Sequence, residues 1–112
     1  MSSERERAVY RMQSDFCRAL TNPIRLEILH LLGEGERTVT VLATLTKLRQ
    51  ANVSQHLAVM RRSRIIKERR EGNNIYYSLA NAKITEACRM IRGIMTEQLI
   101  KEFQTTRSGQ RE

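Results

Sequence analysis

Along the first half of the chain, apolar residues recur at helical spacing. Val9, Met12, Phe16 and Leu20 lie three or four positions apart and so share one face of a first helix. Asn22 followed by Pro23 reads as a helix start. The Asn side chain accepts from the free N–H groups of the first turn, and a proline in the first helical position lacks an N–H that would be unpaired anyway. The helix that follows, from Pro23 to about Leu32, carries Ile24, Ile28, Leu29, Leu31 and Leu32. So little polar face remains that it is expected to be the central core helix, closed by Gly33 and Gly35, with His30 in the core or at its boundary. Thr40 is placed to cap a short third helix containing Leu42 and Leu45. A turn near residues 47–49 then leads into a fourth.

That fourth stretch, RQANVSQHLAVMRR at 49–62, has two unlike faces. With Val53 set at zero, Leu57 and Met60 fall within about 40° of it, while Ala51, Gln55, Ala58 and Arg62 lie roughly opposite, flanked by Asn52 and Val59. After Arg64 the period changes. IIKERREGNNIYYSL holds two β-prone runs around Glu71, Gly72, Asn73 and Asn74, a cluster able to supply the positive φ values of a hairpin tip. From Asn81 onwards Ile84, Cys88, Ile91, Met95 and Leu99 form the seam of a helix that packs on another helix. Residues 1–7 and 105–112 are expected to be frayed. Without repeats or a linker, residues 1–112 read as one domain, mainly α with a small β-hairpin wing.

Charge narrows the function. The chain has 112 residues and a formal net charge of +8. Between 47 and 70 stand eight basic residues, Lys47, Arg49, Arg61, Arg62, Arg64, Lys67, Arg69 and Arg70, against the single acid Glu68, so seven of the eight net charges fall there. Confined to one helix and the hairpin after it, such a run is the footprint expected for a phosphate backbone. The outer face of the fourth helix is short enough for close approach. Gln and Asn suit adenine edges and Arg suits guanine, and a helix of this width fits the major groove. The candidate DNA contacts are therefore Gln50, Ala51, Asn52, Ser54, Gln55, His56 and Arg62 on the helix, with Arg69, Arg70, Asn73 and Asn74 on the hairpin. The apolar runs are too short for membrane insertion and the N-terminus has no continuous apolar region, so a cytoplasmic protein is expected. Two cysteines, Cys17 and Cys88, are too few for a disulfide framework.

The order helix, short helix, turn, basic amphipathic helix and hairpin is that of a winged helix-turn-helix. In NPIRLEIL, VSQHL and RREGNNIYYSL, and over about residues 12–100, the sequence closely resembles the ArsR/SmtB family of bacterial and archaeal repressors. The resemblance implies a homodimer whose first and last helices pack across the two-fold axis, bound to a palindromic double-stranded DNA operator and released by a small inducer. One departure stands at Arg64, where relatives often have glycine, so the turn there is expected to be strained or differently shaped.

Relatives that sense metals use cysteines where Thr38 and Thr40 stand here, or acid and histidine ligands where Asn81, Lys83 and Cys88 stand. Hydroxyls are poor ligands for soft metals, and no metal or other cofactor is expected. Catalysis is not expected either. Ser54 and His56 point about 160° apart on a helix, with no acid to orient the imidazole. The remaining candidate for a signal is a thiol-reactive inducer, such as an oxidant, a reactive sulfur species or arsenite, sensed by Cys17 and Cys88, which the family's dimer plan would make neighbours. The alternative is a constitutive or architectural winged-helix binder of nucleic acid with no inducer site.

Overall fold

The computed structural model describes the backbone of residues 3–111 and side chains through residue 106. The elements are α1 (Glu4–Ala19), α2 (Pro23–Gly33), α3 (Val39–Thr46), α4 (Gln50–Arg62), β1 (Ile66–Glu71), β2 (Asn74–Leu79) and α5 (Lys83–Arg111). Contacts divide them into two compact units, Met1–Ala82 and Lys83–Glu112. Helix begins at Glu4 and persists to Arg111, through most of the two segments for which the sequence predicts fraying; residues 1, 2 and 112 lie outside the described residues.

The core of the first unit is built from α2, α3, α4 and the start of the hairpin. Asn22 Oδ1 accepts from the backbone N–H of Ile24 at 2.8 Å and of Arg25 at 3.3 Å, with Pro23 in the first turn. Ile28, Leu29, Leu42, Val53, Leu57, Met60 and Ile65 are almost completely withdrawn from solvent. Fully burying an aliphatic side chain of this size contributes about 1.5 to 3 kcal/mol, so this cluster dominates the unit's stability. Helix α1 contributes less. Ala19 is buried and Phe16 half-buried, but Val9 and Met12 remain exposed.

Two local expectations are corrected. Thr38, not Thr40, caps α3: its hydroxyl accepts from Val41 N–H at 3.3 Å. Cap preference cannot choose between two threonines two positions apart. His30 is exposed, because it projects about 200° from the buried Ile28 on the same helix.

Both helices of the helix-turn-helix, α3 and α4, end in basic residues in the left-handed region. Lys47 has φ 60° and the next residue's N–H, on Leu48, donates to the Ala43 carbonyl at 3.1 Å. Arg64 has φ 62°; its N–H donates to the Arg61 carbonyl at 3.0 Å, and Ile65 N–H donates to the Met60 carbonyl at 3.0 Å. This is the Schellman pattern, and the two residues that flank it, Met60 and Ile65, are both buried and apolar. The turn therefore keeps the shape glycine would give it.

The strands β1 and β2 are antiparallel, from Ile66 opposite Leu79 to Glu71 opposite Asn74. Gly72 and Asn73 form the tip, and only Gly72 there has positive φ, 61°. A third, one-residue strand lies on the other side of β2. Arg37 and Tyr77 exchange both backbone hydrogen bonds, at 3.1 and 2.9 Å.

The second unit is α5, 29 residues long. Ile84 and Cys88 are half-buried, while Ile91, Met95 and Leu99 are exposed together with Met90, Ile94, Ile100 and Phe103. Among the described residues, no helix is long and apolar enough to cross a membrane.

Candidate nucleic-acid interface

Helix α4 is anchored by Val53, Leu57 and Met60, each no more than 1% exposed. Ala51, Asn52, Ser54, Gln55, Ala58 and Arg62 are all exposed, so the face opposite the anchor is free for a partner. Gln50 ties the start of α4 to α3, its Nε2 donating to Thr40 Oγ1 at 3.4 Å. Thr40 thus serves the junction of the two helices rather than the cap. His56 is half-buried at the edge of the face. Burial, and then the charge of Arg25, push its pKa below the usual histidine value, so the imidazole is neutral near pH 7.

The hairpin sorts its charges by strand parity. Ile66, Glu68 and Arg70 share one face with their partners Leu79, Tyr77 and Ile75; Lys67, Arg69 and Glu71 share the other with Ser78, Tyr76 and Asn74. Glu68 meets Arg61 of α4 at 3.0 Å, which fixes the base of the wing against the end of the helix. Burial, followed by the nearby Glu68 carboxylate, raises the pKa of Tyr77 in the same place. Arg70 has no ion-pair partner among the described residues and is exposed beyond that base. Asn73 and Asn74 are exposed at the tip.

Arg69 is placed differently from Arg70, although the sequence groups the two. Its guanidinium donates to both carboxylate oxygens of Glu36, at 3.0 and 3.2 Å, and to Glu71 at 2.6 Å. It also lies 4.8 Å from the centre of the Tyr76 ring, its partner across the strands. These carboxylates raise its pKa further, and the hydrogen bond from Arg69 holds the Glu36 carboxyl below the usual range. Most of its donors are already committed within the chain. Of the eight basic residues in the charged segment, Arg61 and Arg69 are engaged in this way.

Glu36 and Arg37 belong to the site but escape sequence reasoning. A one-residue strand has no period to detect, and the pairing of Glu36 with Arg69 spans 33 residues. The only local sign is a charged pair between Gly35 and the capping Thr38, too short to be read as a strand. The remaining candidates lie elsewhere. Cys17 is exposed on α1 and Cys88 half-buried on α5, and neither is in a disulfide. Among the described residues, no three His, Cys, Asp or Glu side chains are grouped so as to hold a metal ion.

Comparison with known proteins agrees with this geometry. The profile of the family described as bacterial regulatory protein, arsR family, matches residues 22–68. The chain is similar to the uncharacterized HTH-type transcriptional regulator Rv0081 of Mycobacterium tuberculosis, 35% identical over 92 residues that make up 81% of each protein. It is similar to the transcriptional repressor PagR of Bacillus anthracis, 33% identical over 82 residues, which cover 72% of this chain and 82% of that protein. Among solved structures it is similar to the homodimeric winged helix-turn-helix DNA-binding domain of a possible ArsR-family transcriptional regulator from Mycobacterium bovis. There the identity is 31% and the TM-score 0.80, over 88% of this chain and 91% of that one.

Proposed function

Because the chain belongs to the arsR family of bacterial regulatory proteins, and so is a transcriptional regulator rather than an enzyme, we propose that it is a homodimeric repressor of a palindromic operator. Helix α4 enters the major groove and the hairpin lies along the neighbouring backbone or minor groove. The observation that carries this reading is the exposed face of α4. Asn52 and Gln55 stand there between Ala51 and Ala58, opposite a stripe buried to completion. Short alanines let the amide groups reach base edges; a general binder needs the charges but not this face.

Dimerisation engages α5 and α1, whose apolar side chains are exposed in the single chain. The protein acts in the cytoplasm, where its DNA is. Release follows reaction of Cys17 and Cys88 with a thiol-reactive inducer, the exposure of Cys17 on α1 giving a reagent direct access.

Selection from a pool of random duplexes tests the reading. Enrichment of an inverted repeat with half-sites about one helical turn apart, 10 to 10.5 base pairs, is the expected result. A pool that stays random while still binding favours the architectural alternative.

A further inference from the structure

Helix α4 has two flanks besides its outer face. Val59 projects about 120° to one side of Val53, and Arg61 about 80° to the other. The Arg61 side is taken by the wing, through the 3.0 Å contact with Glu68. On the Val59 side, where α4 ends near the junction of α1 and α2, lies a pocket of about 440 Å³ whose wall includes Arg18, Arg25, Val59 and Arg62. Arg62 belongs both to this wall and to the exposed outer face of α4, so the pocket opens beside the residues set to read bases. Val9, Met12 and Phe16 form no part of it. Arg18 projects about 180° from Val9 around α1, so a second copy packed on that apolar stripe leaves the pocket open.

Three arginines and one acid line the pocket. The acid, Asp15, pairs with Arg18 at 3.6 Å, while Arg25 and Arg62 have no ion pair among the described residues. The first turn of α2, which carries Arg25, holds no acid. The charge of Arg25 reaches His56, on the same flank of α4 as Val59, and helps to lower its pKa. Arg25 Nε is buried without a hydrogen-bond partner. Such a donor is costly to leave unpaired, more so on a charged group, so the stability of the fold does not account for this arginine.

We propose that this pocket seats a backbone phosphate of the bound DNA, with Arg25 as the residue that grips it and Arg62 beside it. The proposal rests on the reading of α4 as the helix in the major groove. A helix is about 10 to 12 Å across and that groove about 12 Å wide, so both flanks of α4 come against sugar-phosphate walls. The wing serves one wall. On the other flank α4 itself offers Val59 and the neutral His56, and the charge for that wall comes from α2. A guanidinium presents paired N–H groups in one plane, a match for two phosphate oxygens. Arg25 lies outside the basic segment at 47–70, so a count of charges along the chain passes over it. A free anion would meet the same groups, but a pocket that opens beside the base-reading face favours a phosphate fixed to the duplex.

The test titrates the full chain onto the enriched operator carrying one neutral methylphosphonate linkage at a time. For wild type, one linkage in each half-site should weaken binding roughly ten-fold, and for Arg25→Gln the same linkage should cost almost nothing more, because both changes remove one contact. For Arg70→Gln the silent linkage should be a different one, on the other wall of the groove. Arg25→Gln should also lower the salt slope by about one unit on operator and random duplex alike. Arg25→Lys keeps the charge and should keep the slope, which separates a lost contact from a damaged fold. If every linkage weakens Arg25→Gln as much as wild type, the proposal is overturned. An unchanged slope for Arg25→Gln, with specificity still lost in Gln55→Ala, overturns it too and leaves the operator reading standing. If both variants bind the operator as wild type does, α4 is not in the groove and both readings fall. Inorganic phosphate that shifts the Arg25 amide of the free chain, with no linkage silent for Arg25→Gln, overturns the proposal in favour of a free anion.

Discussion

Arg69 and Glu36, 33 residues apart in the chain, meet through two hydrogen bonds at 3.0 and 3.2 Å. Arg69 belongs to β1, and its guanidinium passes over the ring of Tyr76 on β2 to reach Glu36 beside the one-residue strand at Arg37. It therefore braces all three strands of the wing. Glu36→Gln separates this role from plain electrostatics. Removing an acid from a DNA-binding face should tighten binding if attraction to phosphate were the only effect. The brace implies the opposite, a loss of roughly two- to five-fold in operator affinity, the scale of exposed ion pairs. Anisotropy titrations of wild type and variant decide by sign alone.

The pH dependence of the brace follows from the same pair. Hydrogen bonding to Arg69 depresses the Glu36 pKa, so its contribution is complete above the ordinary glutamate value and is lost as pH falls through the lowered one. Between about pH 8 and 5 the Glu36→Gln variant should differ from wild type by a constant factor. A difference that fades on going from pH 8 to 6 would assign the effect to another group.

Arg64 gives a prediction about stability. A non-glycine residue in the left-handed region costs about 1 to 2 kcal/mol, part of which glycine returns through its freer unfolded chain. Arg64, at φ 62°, should therefore yield a net gain of about 0.5 to 1 kcal/mol on replacement by glycine. Arg64→Val should be destabilising, because a β-branched side chain fits that region worst. Urea midpoints of the three proteins check the order.

How much of this was legible in the sequence depended on range. Asn22–Pro23, the apolar positions of α2 and the two faces of α4 are local patterns, and the structure places them where the periodicity does. Gly72 likewise marks the hairpin tip, because only a positive φ closes so short a loop there. His30 shows the limit of periodicity in a helix dense with apolar residues, where one polar position can face either way. Arg37 and Glu36 lie beyond reach, since one bridging residue has no period and a pair formed across the sheet has no local sign. The same holds for Arg69: composition counts it with the phosphate-binding charges, and only the register shows where it is spent.

Gln55 and Arg70 should fail in different ways. Gln55 is exposed at the centre of the outer face of α4, so Gln55→Ala should cost roughly 1 to 3 kcal/mol on the operator and almost nothing on random duplex. Arg70 is exposed and unpaired among the described residues. Its loss should weaken both and lower the salt slope by about one unit. Equal losses on both DNAs for Gln55→Ala would count against base reading.

The cysteines can be tested without knowing the inducer. Operator binding is measured after diamide, polysulfide or arsenite for wild type, Cys17→Ser and Cys88→Ser. Release of wild type with at least one serine variant resistant is the expected pattern. If every protein stays bound under every treatment, neither thiol is the sensor and the signal enters elsewhere.

Helix α5 gives the remaining prediction. Taking Ile91 as zero, Ile84, Cys88, Met95 and Leu99 fall within about 80° on one side and Ile94 about 60° on the other, a broad apolar stripe over roughly four turns. Ile91, Ile94, Met95 and Leu99 are each more than half exposed in the single chain. A stripe of that length is larger than a monomer ordinarily leaves to solvent, and a second copy is the simplest cover for it. Ile91→Glu places a charge in its centre, where pairing with the same helix of a partner would bring two carboxylates together at the symmetry axis or bury one without a partner. Sedimentation should then find monomers where wild type gives dimers, with operator affinity falling much further than affinity for a single half-site. A variant that remains dimeric at micromolar concentration would move the interface away from α5.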